Sequence, residues 1–437
     1  MNVKIKRTCA FFTFGCKVNQ YETQLMREEL LANGFVETEK RPAFLIVNGC
    51  TVTSRADKKC GSLLKNLSRK NPKAKIILTG CYAQNTKALK IKPEGVSCII
   101  PQDQKTLVYR MIEREFGEIL EDNNAAAHLP HEFYGPQNGI SEFPSHNRAF
   151  VKIQDGCDNF CSYCIVPYMR GGPRSRELKE ILSEAELLSK KGFKEIVLCG
   201  INLGAWGREF KEALEIGDLI KELNFLPGLK RLRLSSIELK HVNDSLIDKF
   251  SEDLKLCRHL HIPLQSGDSF ILKKMNRDYS AQEYLDKLNL ISSKIKDISF
   301  TTDIMVGFPG ETDENFNNTL ELVKNTGFTR IHVFTFSPRD GTPAARMDSQ
   351  VDERIKKYRM LTLEDAAAQS SFTFRKKLLN KKLSVLFEKR ENDYWCGYSD
   401  TYVYVKVRTN TGLSNTIKKV NVSSVSITDT MATVCEF

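Results

Sequence analysis

The sequence lacks any long hydrophobic run. No apolar stretch in its 437 residues approaches the ~18 residues that a membrane-spanning helix needs. The start of the chain, Met1 to Arg7, leads only into the short run Cys9 to Phe14, so a secretory leader is not indicated. We therefore expect a cytoplasmic protein without a membrane partner. A chain of this length predicts two to four domains.

The cysteines also lack the pattern of a secreted disulfide framework. There are thirteen, an odd number, and several follow a glycine at an apparent strand end. This usage favours reduced thiols and metal chemistry over disulfides. Lys and Arg exceed Asp and Glu by 65 to 54, a formal net charge of +11, which favours nucleic acid or an acidic membrane face as a partner.

Three cysteines, Cys157, Cys161 and Cys164, are spaced CxxxCxxC just after the strand-like run Ala149 to Ile153. A structural zinc site takes four protein ligands, and no fourth Cys or His follows nearby. Three thiolates suit a 4Fe-4S cube in which one iron has no protein ligand. The alternative interpretation is a cysteine cluster with a structural metal or with none.

The first 120 residues alternate strand-like runs with helical stretches, which predicts a parallel, doubly wound α/β sheet. Cys16, Cys50 and Cys81 each follow a strand and a glycine, at separations of 34 and 31 residues. One βαβ step takes about 30 residues, so we expect the three thiols to converge at one carboxyl edge of the sheet. The alternative is three unrelated buried cysteines, our interpretation for Cys9, Cys60 and Cys98.

Six further strand-like runs between Ala149 and about Arg375 predict a partial (β/α)6 barrel with its working groups at the carboxyl ends of the strands. Polar side chains in the turns that follow these strands are candidate cofactor contacts, namely Asn202, Ser236 and Gln265. Cys199 and Cys257 are interpreted as core thiols. Arg170, Arg174 and Arg176 predict either phosphate contacts or a solvated basic turn that caps the next helix.

Five short strand-like runs after Arg375 predict a small β-barrel of OB-like type. From Arg375 onward the chain has eleven Lys and Arg residues against six Asp and Glu residues. Four aromatic residues accompany these charges, namely Tyr394, Trp395, Tyr402 and Tyr404. Cations that hold phosphates and aromatic faces that stack on bases are typical of an RNA-binding surface; filling the barrel core is the alternative role of the aromatics.

The segment from Cys157 to Cys164 resembles the radical SAM superfamily, in which the open iron chelates S-adenosylmethionine for reductive cleavage to a 5′-deoxyadenosyl radical. In that resemblance Tyr163 stacks on the adenine. The segments around Cys16, Cys50 and Cys81 resemble the methylthiotransferase family, and Gly15 to Thr23 is most similar to members that act on threonylcarbamoyladenosine in tRNA. Gly49 is a departure, since threonine is more usual there. The last domain resembles a TRAM domain.

The resemblance implies four segments: residues 1–120 with a second 4Fe-4S cluster, a linker at 121–147, a radical SAM core at 148–374 and a TRAM RNA-binding domain at 375–437. Cys16, Cys50 and Cys81 would hold one cluster, and Cys157, Cys161 and Cys164 the other. The implied reaction is 2-methylthiolation of threonylcarbamoyladenosine at position 37, with S-adenosylmethionine as cofactor. Implied partners are the tRNA anticodon loop, an electron donor such as flavodoxin or ferredoxin, and a sulfur source.

Two alternatives remain open from the sequence. One is a sister methylthiotransferase that acts on isopentenyladenosine in tRNA or on a ribosomal-protein aspartate. The other is a non-catalytic iron-sulfur protein that binds RNA or senses redox state.

Overall fold

The structure, a computed structural model, describes residues 5–120, 139–144, 146–252 and 255–435. The protein is α/β, with a five-stranded parallel sheet, then two three-stranded parallel sheets, and last a small closed barrel. Most of the predicted linker at 121–147 lies outside the described residues. Within the described ranges, no helix combines the length and the apolar composition needed to cross a bilayer.

The amino-terminal region is a five-stranded parallel sheet in the order β2-β1-β3-β4-β5. Its third strand is buried along its whole length, as a strand covered on both faces must be. The strands are β1 (Thr8–Thr13), β2 (Val36–Glu37), β3 (Phe44–Gly49), β4 (Lys75–Thr79) and β5 (Val96–Ile99). The helices are α1 (Lys17–Ala32), α2 (Ser54–Lys70), α3 (Gly80–Ala88) and α4 (Val108–Phe116). The predicted doubly wound sheet is confirmed.

The central region contains six parallel strands that follow one another in chain order. Two three-stranded sheets, β6-β9-β10 and β11-β12-β13, are joined by the bridges Leu232–Leu256 and Ser236–His261. The strands are β6 (Arg148–Lys152), β9 (Glu195–Cys199), β10 (Arg231–Leu234), β11 (His259–His261), β12 (Ser299–Val306) and β13 (Arg330–Thr335), and a short hairpin pairs β7 (Gln154–Asp155) with β8 (Arg174–Ser175). This arrangement is the predicted partial barrel.

Helices cover the outside of the partial barrel. Apolar side chains of these helices and strands form the largest core cluster of the molecule, which also includes Val18 and Tyr21 of α1. The helices are α5 (Val166–Arg170), α6 (Leu178–Lys190), α7 (Ile216–Asn224), α8 (Asp244–Ser251), α9 (Ser269–Lys274), α10 (Ala281–Lys294), α11 (Asp313–Thr326) and α12 (Glu353–Lys376). The shared core fixes the amino-terminal sheet against the barrel.

The last five strands close into a small barrel in the order β14-β15-β16-β18-β17. They are β14 (Lys382–Glu391), β15 (Tyr394–Ser399), β16 (Tyr404–Arg408), β17 (Thr416–Val425) and β18 (Thr430–Val434). The five predicted strands are confirmed.

The small barrel docks on the amino ends of the central strands. Arg231, the first residue of β10, donates to the carbonyl oxygen of Ser384 at 2.5 Å, and Ser299, the first of β12, donates to that of Thr401 at 2.6 Å. The carboxyl ends of the central strands, where the cysteine loop begins, are therefore at the other end of the barrel.

Candidate functional site

Cys16, Cys50 and Cys81, here called the strand-end triad, lie at the carboxyl ends of three neighbouring strands. Cys16 follows β1 and caps α1, Cys50 follows β3, and Cys81 is the second residue of α3, which begins directly after β4. Because β1, β3 and β4 are adjacent in the sheet, the three residues meet at one edge, as the 34- and 31-residue spacing predicts.

The two glycines beside this triad are needed for close approach. A Cβ on Gly15, which has φ +101°, would lie 2.8 Å from Cys50 Cβ and 3.0 Å from its Sγ. A Cβ on Gly49 would lie 2.7 Å from Tyr82 Cβ and 3.0 Å from Cys60 Sγ. Tyr82 and Cys60 therefore fill the space that a threonine at position 49 would need, which explains this departure from the family pattern.

Cys157, Cys161 and Cys164, the loop triad, lie in the loop after β6 and β7. The Cys157 amide donates to the Gly171 carbonyl at 3.0 Å, and the Cys164 amide donates to that of Cys161 at 2.9 Å. The Ser162 hydroxyl donates to the Lys274 carbonyl at 2.8 Å. The loop is thus held by the barrel as well as by its own turns.

Both triads are groups of mutually close thiols. Burial raises the pKa of Cys50 to about 11, and the thiols of Cys81 and Cys16 add to the shift. Burial likewise raises the pKa of Cys164 to about 12, with Cys161 and Cys157 adding to it. Iron binding at either triad must therefore displace protons from the thiols.

The spacing of these thiols does not match a single metal ion. Within the described ranges, no three His, Cys, Asp or Glu side chains converge closely enough to hold one ion. A 4Fe-4S cube differs because each cysteine binds a different iron at a different corner. Three thiols per triad is the number of ligands that would leave one iron of such a cube without a protein ligand.

Arg170 connects the two triads. It is six residues after Cys164 in α5, and its Nε lies 3.3 Å from the Sγ of Cys81. The side chain is buried and also donates to Asn19 at 2.7 Å and Asp155 at 2.8 Å. The carboxyl edge of the amino-terminal sheet therefore faces the loop triad of the barrel.

Glu22 of α1 is the buried anion beneath this contact. It accepts from Arg170 at 3.1 Å and from Lys152 at 2.7 Å, and it also contacts Lys105. Burial alone would raise its pKa, but Arg170, Lys105 and Lys152 hold the pKa of Glu22 well below its usual value. Glu22 is thus ionised and joins the amino-terminal region to the barrel.

A second arginine contacts the loop triad. The Nη1 of Arg277 lies 3.4 Å from Cys161 Sγ, and the guanidinium pairs with Glu238. Tyr163 lies beside this group and packs against the apolar cluster that contains Met305 and Phe308. Each triad therefore has one buried arginine in contact with one thiol.

The three predicted turn residues all follow barrel strands. The side chain of Asn202 is buried, and neither its nitrogen nor its oxygen has a partner in the part of the chain that the structure describes. Gln265 has φ +69°, and its buried Oε1 likewise has no partner there. Ser236 is exposed and lines a cavity inside the barrel. Unpartnered buried amides are expected to bind a polar ligand, and the role of all three residues remains a prediction.

The sequence analysis missed a set of polar residues that line the barrel lumen. His261 Nε2 lies 3.2 Å from Asp303 Oδ2, and Asp303 Oδ1 lies 3.4 Å from His332 Nδ1. Thr301 Oγ1 lies 2.8 Å from a ring nitrogen of both His259 and His261. These residues occupy every second position of their strands, a period of two that could have identified them as one inward face.

For Arg170 and Arg176 both expectations are wrong, Tyr402 has neither of the two roles expected of the aromatic residues, and Trp395 has the alternative, core-filling role. Arg170 and Arg176 are neither solvated nor free for phosphate, because both are held in ion pairs, Arg176 with Glu184 at 2.5 Å. The ring of Tyr402 stacks on His259 at 4.6 Å between centroids, inside the joint between the two barrels. Trp395 packs against the core of the small barrel.

Arg174 is exposed, as a solvated turn requires, and the remaining aromatic residues are half-buried. Cys9, Cys60, Cys199 and Cys257 are buried, as predicted for core thiols. Cys98 is partly exposed.

Two family models match the chain. The model described as "Radical SAM superfamily" matches residues 151–323, which contain the loop triad. The model described as "Uncharacterized protein family UPF0004" matches residues 8–101, which contain the strand-end triad.

Several characterised proteins are similar to the chain over most of its length. The threonylcarbamoyladenosine tRNA methylthiotransferase MtaB of Thermotoga maritima is 40% identical, over 87% of this chain and 87% of its own. MtaB of Bacillus subtilis is 35% identical, over 95% of this chain and 93% of its own. The tRNA-2-methylthio-N(6)-dimethylallyladenosine synthase of Alkaliphilus oremlandii is 36% identical, over 86% of this chain and 81% of its own.

A solved structure shares the fold. The radical S-adenosylmethionine methyltransferase TsrM from Kitasatospora setae, with cobalamin and a [4Fe-4S] cluster bound, superposes with a TM-score of 0.55 at 14% identity. It covers 78% of this chain and 77% of its own.

Proposed function

The chain belongs to the radical SAM methylthiotransferase family, and from this premise we propose that it converts threonylcarbamoyladenosine at position 37 of tRNA to its 2-methylthio derivative. Proteins of this family are transferases that carry two 4Fe-4S clusters and use S-adenosylmethionine. The substrate follows from relatives that carry the threonylcarbamoyladenosine name at 33–40% identity. A tRNA substrate implies that the protein acts in the cytoplasm.

The observation that carries the proposal is the contact of Arg170 with Cys81. Because Arg170 lies six residues after Cys164, this contact supports one site that contains both triads. When bound, the two clusters supply reductive cleavage of S-adenosylmethionine and the sulfur for methylthio transfer. The strand-end triad would hold the amino-terminal cluster and the loop triad the central one.

The chain's own residues would bind and orient the cofactor and enclose the site. Tyr163, Asn202, Ser236 and Gln265 would contact S-adenosylmethionine, with the unpartnered amides of Asn202 and Gln265 as support. Glu22 and Arg170 hold the two triads in register. The shared core of the amino-terminal sheet and the barrel holds these two regions together.

We further propose that residues 375–437 form a TRAM domain that binds tRNA, with the other boundaries near residues 120 and 148. Lys377, Lys381, Lys382 and Lys419 line a cleft of about 340 Å³ where the small barrel meets Arg258 of the central barrel. Asp297 and Asp400 also line this cleft and pair with Lys381 and Arg258, and the other lysines of the cleft suit tRNA phosphates. An electron donor such as flavodoxin or ferredoxin and a sulfur source complete the reaction.

Nucleoside mass spectrometry of tRNA from a strain without this gene tests the substrate. We expect 2-methylthio-threonylcarbamoyladenosine to disappear, its precursor to accumulate, and the gene to restore the product. Loss of the 2-methylthio derivative of isopentenyladenosine instead would assign the chain to the sister enzymes. Unchanged tRNA would contradict the proposal and favour an aspartate substrate or a non-catalytic role.

A further inference from the structure

The lumen of the central barrel contains a cavity of about 390 Å³. Cys16 and Lys17 line it on the side of the strand-end triad, and Ser236 lies at the end of β10. His259 and Tyr402 form the far end, where the small barrel closes the lumen. The cavity therefore leads from a predicted cluster ligand into the barrel.

Most cations of the cavity wall already have anionic partners. Arg148 pairs with Glu388 at 2.5 Å, Arg233 pairs with Glu195 at 2.7 Å, and both His261 and His332 pair with Asp303. Lys17 differs, since it has no ion pair or hydrogen bond to any residue that the structure describes. The lumen thus has one cation available to a ligand.

The positive charge of Lys17 contributes to a lowered pKa of His259 inside the barrel. Burial, and then the positive charges of Arg233, His261 and Lys17, hold the pKa of His259 well below its usual value. His259 is only 3% exposed, and its Nδ1 has no partner among residues 5–120, 139–144, 146–252 and 255–435. A neutral imidazole nitrogen and an unpaired ammonium therefore face the same cavity.

A carboxylate is the ligand group that such a site requires, because an ammonium binds it with a charge-assisted hydrogen bond. The threonylcarbamoyl group carries one carboxylate and one hydroxyl, whereas an isopentenyl group carries neither. A lumen with a free cation would favour the threonylcarbamoyl group. Beside an isopentenyl group, the same cation would be desolvated and unpaired.

We propose that Lys17 is the specificity-determining residue that binds the carboxylate of the threonylcarbamoyl group in the barrel lumen. The proposal rests on the proposed function and adds to it the residue that selects the substrate. Lys17 is adjacent to Cys16, so the substrate's carboxylate is held beside the strand-end triad.

The test measures the affinity of the reconstituted protein for two tRNAs that differ only at residue 37, threonylcarbamoyladenosine or adenosine. We expect the wild type to prefer the first about tenfold, the value of one charge-assisted hydrogen bond. Lys17→Gln should lose this preference, and Lys17→Arg should keep most of it. Lys211→Gln, an exposed lysine elsewhere on the barrel, is the matched control and should behave as the wild type.

A second measurement needs no variant. The wild type should bind and modify a tRNA whose threonylcarbamoyl carboxylate is replaced by an amide with a KM about tenfold higher and a similar kcat. Equal KM for the acid and the amide would overturn the role of Lys17 and leave the proposed function standing. Failure of the wild type to modify the acid would overturn the proposed function itself.

S-adenosylmethionine also carries a carboxylate that Lys17 could bind. Measuring the affinity of the protein for S-adenosylmethionine therefore distinguishes this cofactor from the threonylcarbamoyl group as the ligand of Lys17. Lys17→Gln should bind S-adenosylmethionine as tightly as the wild type and should cleave it without RNA at the same rate. A loss of S-adenosylmethionine affinity with an unchanged tRNA preference would assign Lys17 to the cofactor and overturn the proposal.

Discussion

The loop triad and the strand-end triad contain the same number of thiols but depend on the fold to different degrees. Cys157, Cys161 and Cys164 lie within eight residues, and local turns with a few barrel contacts hold them together. The strand-end triad exists only when three strands of a parallel sheet pair in the observed order. Damage to the amino-terminal sheet should therefore remove one triad and leave the other.

The largest expected effect is that of replacing the whole loop triad. Changing Cys157, Cys161 and Cys164 together to alanine should abolish both S-adenosylmethionine cleavage and methylthiolation, because the proposed ligands of the cluster with the open iron would be lost. About half of the iron should remain at the strand-end triad. Iron analysis and product assays on anaerobically reconstituted protein measure both effects. A variant that still forms 5′-deoxyadenosine would contradict the assignment of the loop triad.

The next effect concerns the buried anion under the strand-end triad. Glu22→Gln leaves Arg170, Lys105 and Lys152 without their shared carboxylate, and removing one partner of a buried ion pair costs about 3–5 kcal/mol. Denaturant unfolding should show this loss, together with lower iron at the strand-end triad. Glu94→Gln, which changes an exposed carboxylate in the turn before β5, is the control.

The Glu22 contacts also predict an acid dependence. Because the folded state lowers the pKa of Glu22, the stability it contributes is present above the unfolded pKa of ~4.3. It is lost as the pH falls from there toward the lower pKa of the folded state. Glu22→Gln should unfold with a weaker pH dependence in this range, and an unchanged dependence would contradict the ionised state of Glu22.

A smaller effect is expected at Gly15. Gly15→Ala strains a positive φ by about 1–3 kcal/mol and also pushes a methyl group against Cys50. Gly192→Ala has a similar φ, +94°, with nothing within 4 Å of the added carbon, so it reproduces the strain without the crowding. Only Gly15→Ala should lower the iron of the strand-end triad. Equal iron loss in both variants would show that crowding at Cys50 is unimportant.

The smallest effect is expected from changing the arginine that contacts each triad, Arg277 or Arg170. Arg277→Lys and Arg170→Lys keep the charge but weaken the N–H contact to Cys161 and to Cys81, respectively. Donors to cluster sulfurs tune the reduction potential, so each variant should lower the potential of the cluster proposed at its own triad. Redox titration followed by electron paramagnetic resonance distinguishes the clusters. A shift in the same cluster from both variants would contradict the pairing of one arginine with each triad.

Residue spacing predicted both triads, although the two spacing signals are of different kinds. The loop triad is a local motif, and the strand-end triad follows from the length of a βαβ step. The roles of Arg170 and Tyr402 were not predictable, because a side chain's partner across domains leaves no periodic signal in the sequence. The lumen residues His259, His261 and Asp303 left such a signal, but short strands with charged residues resemble solvated edges.

The most direct test of the account is to change Cys16, Cys50 and Cys81 together to alanine. The reconstituted variant should contain about half of the wild-type iron and sulfide, since one of two equal clusters is lost. It should still form 5′-deoxyadenosine from S-adenosylmethionine under a strong reductant, and it should place no methylthio group on tRNA. Full iron content, or continued methylthiolation, would contradict the claim that the strand-end triad holds the second cluster.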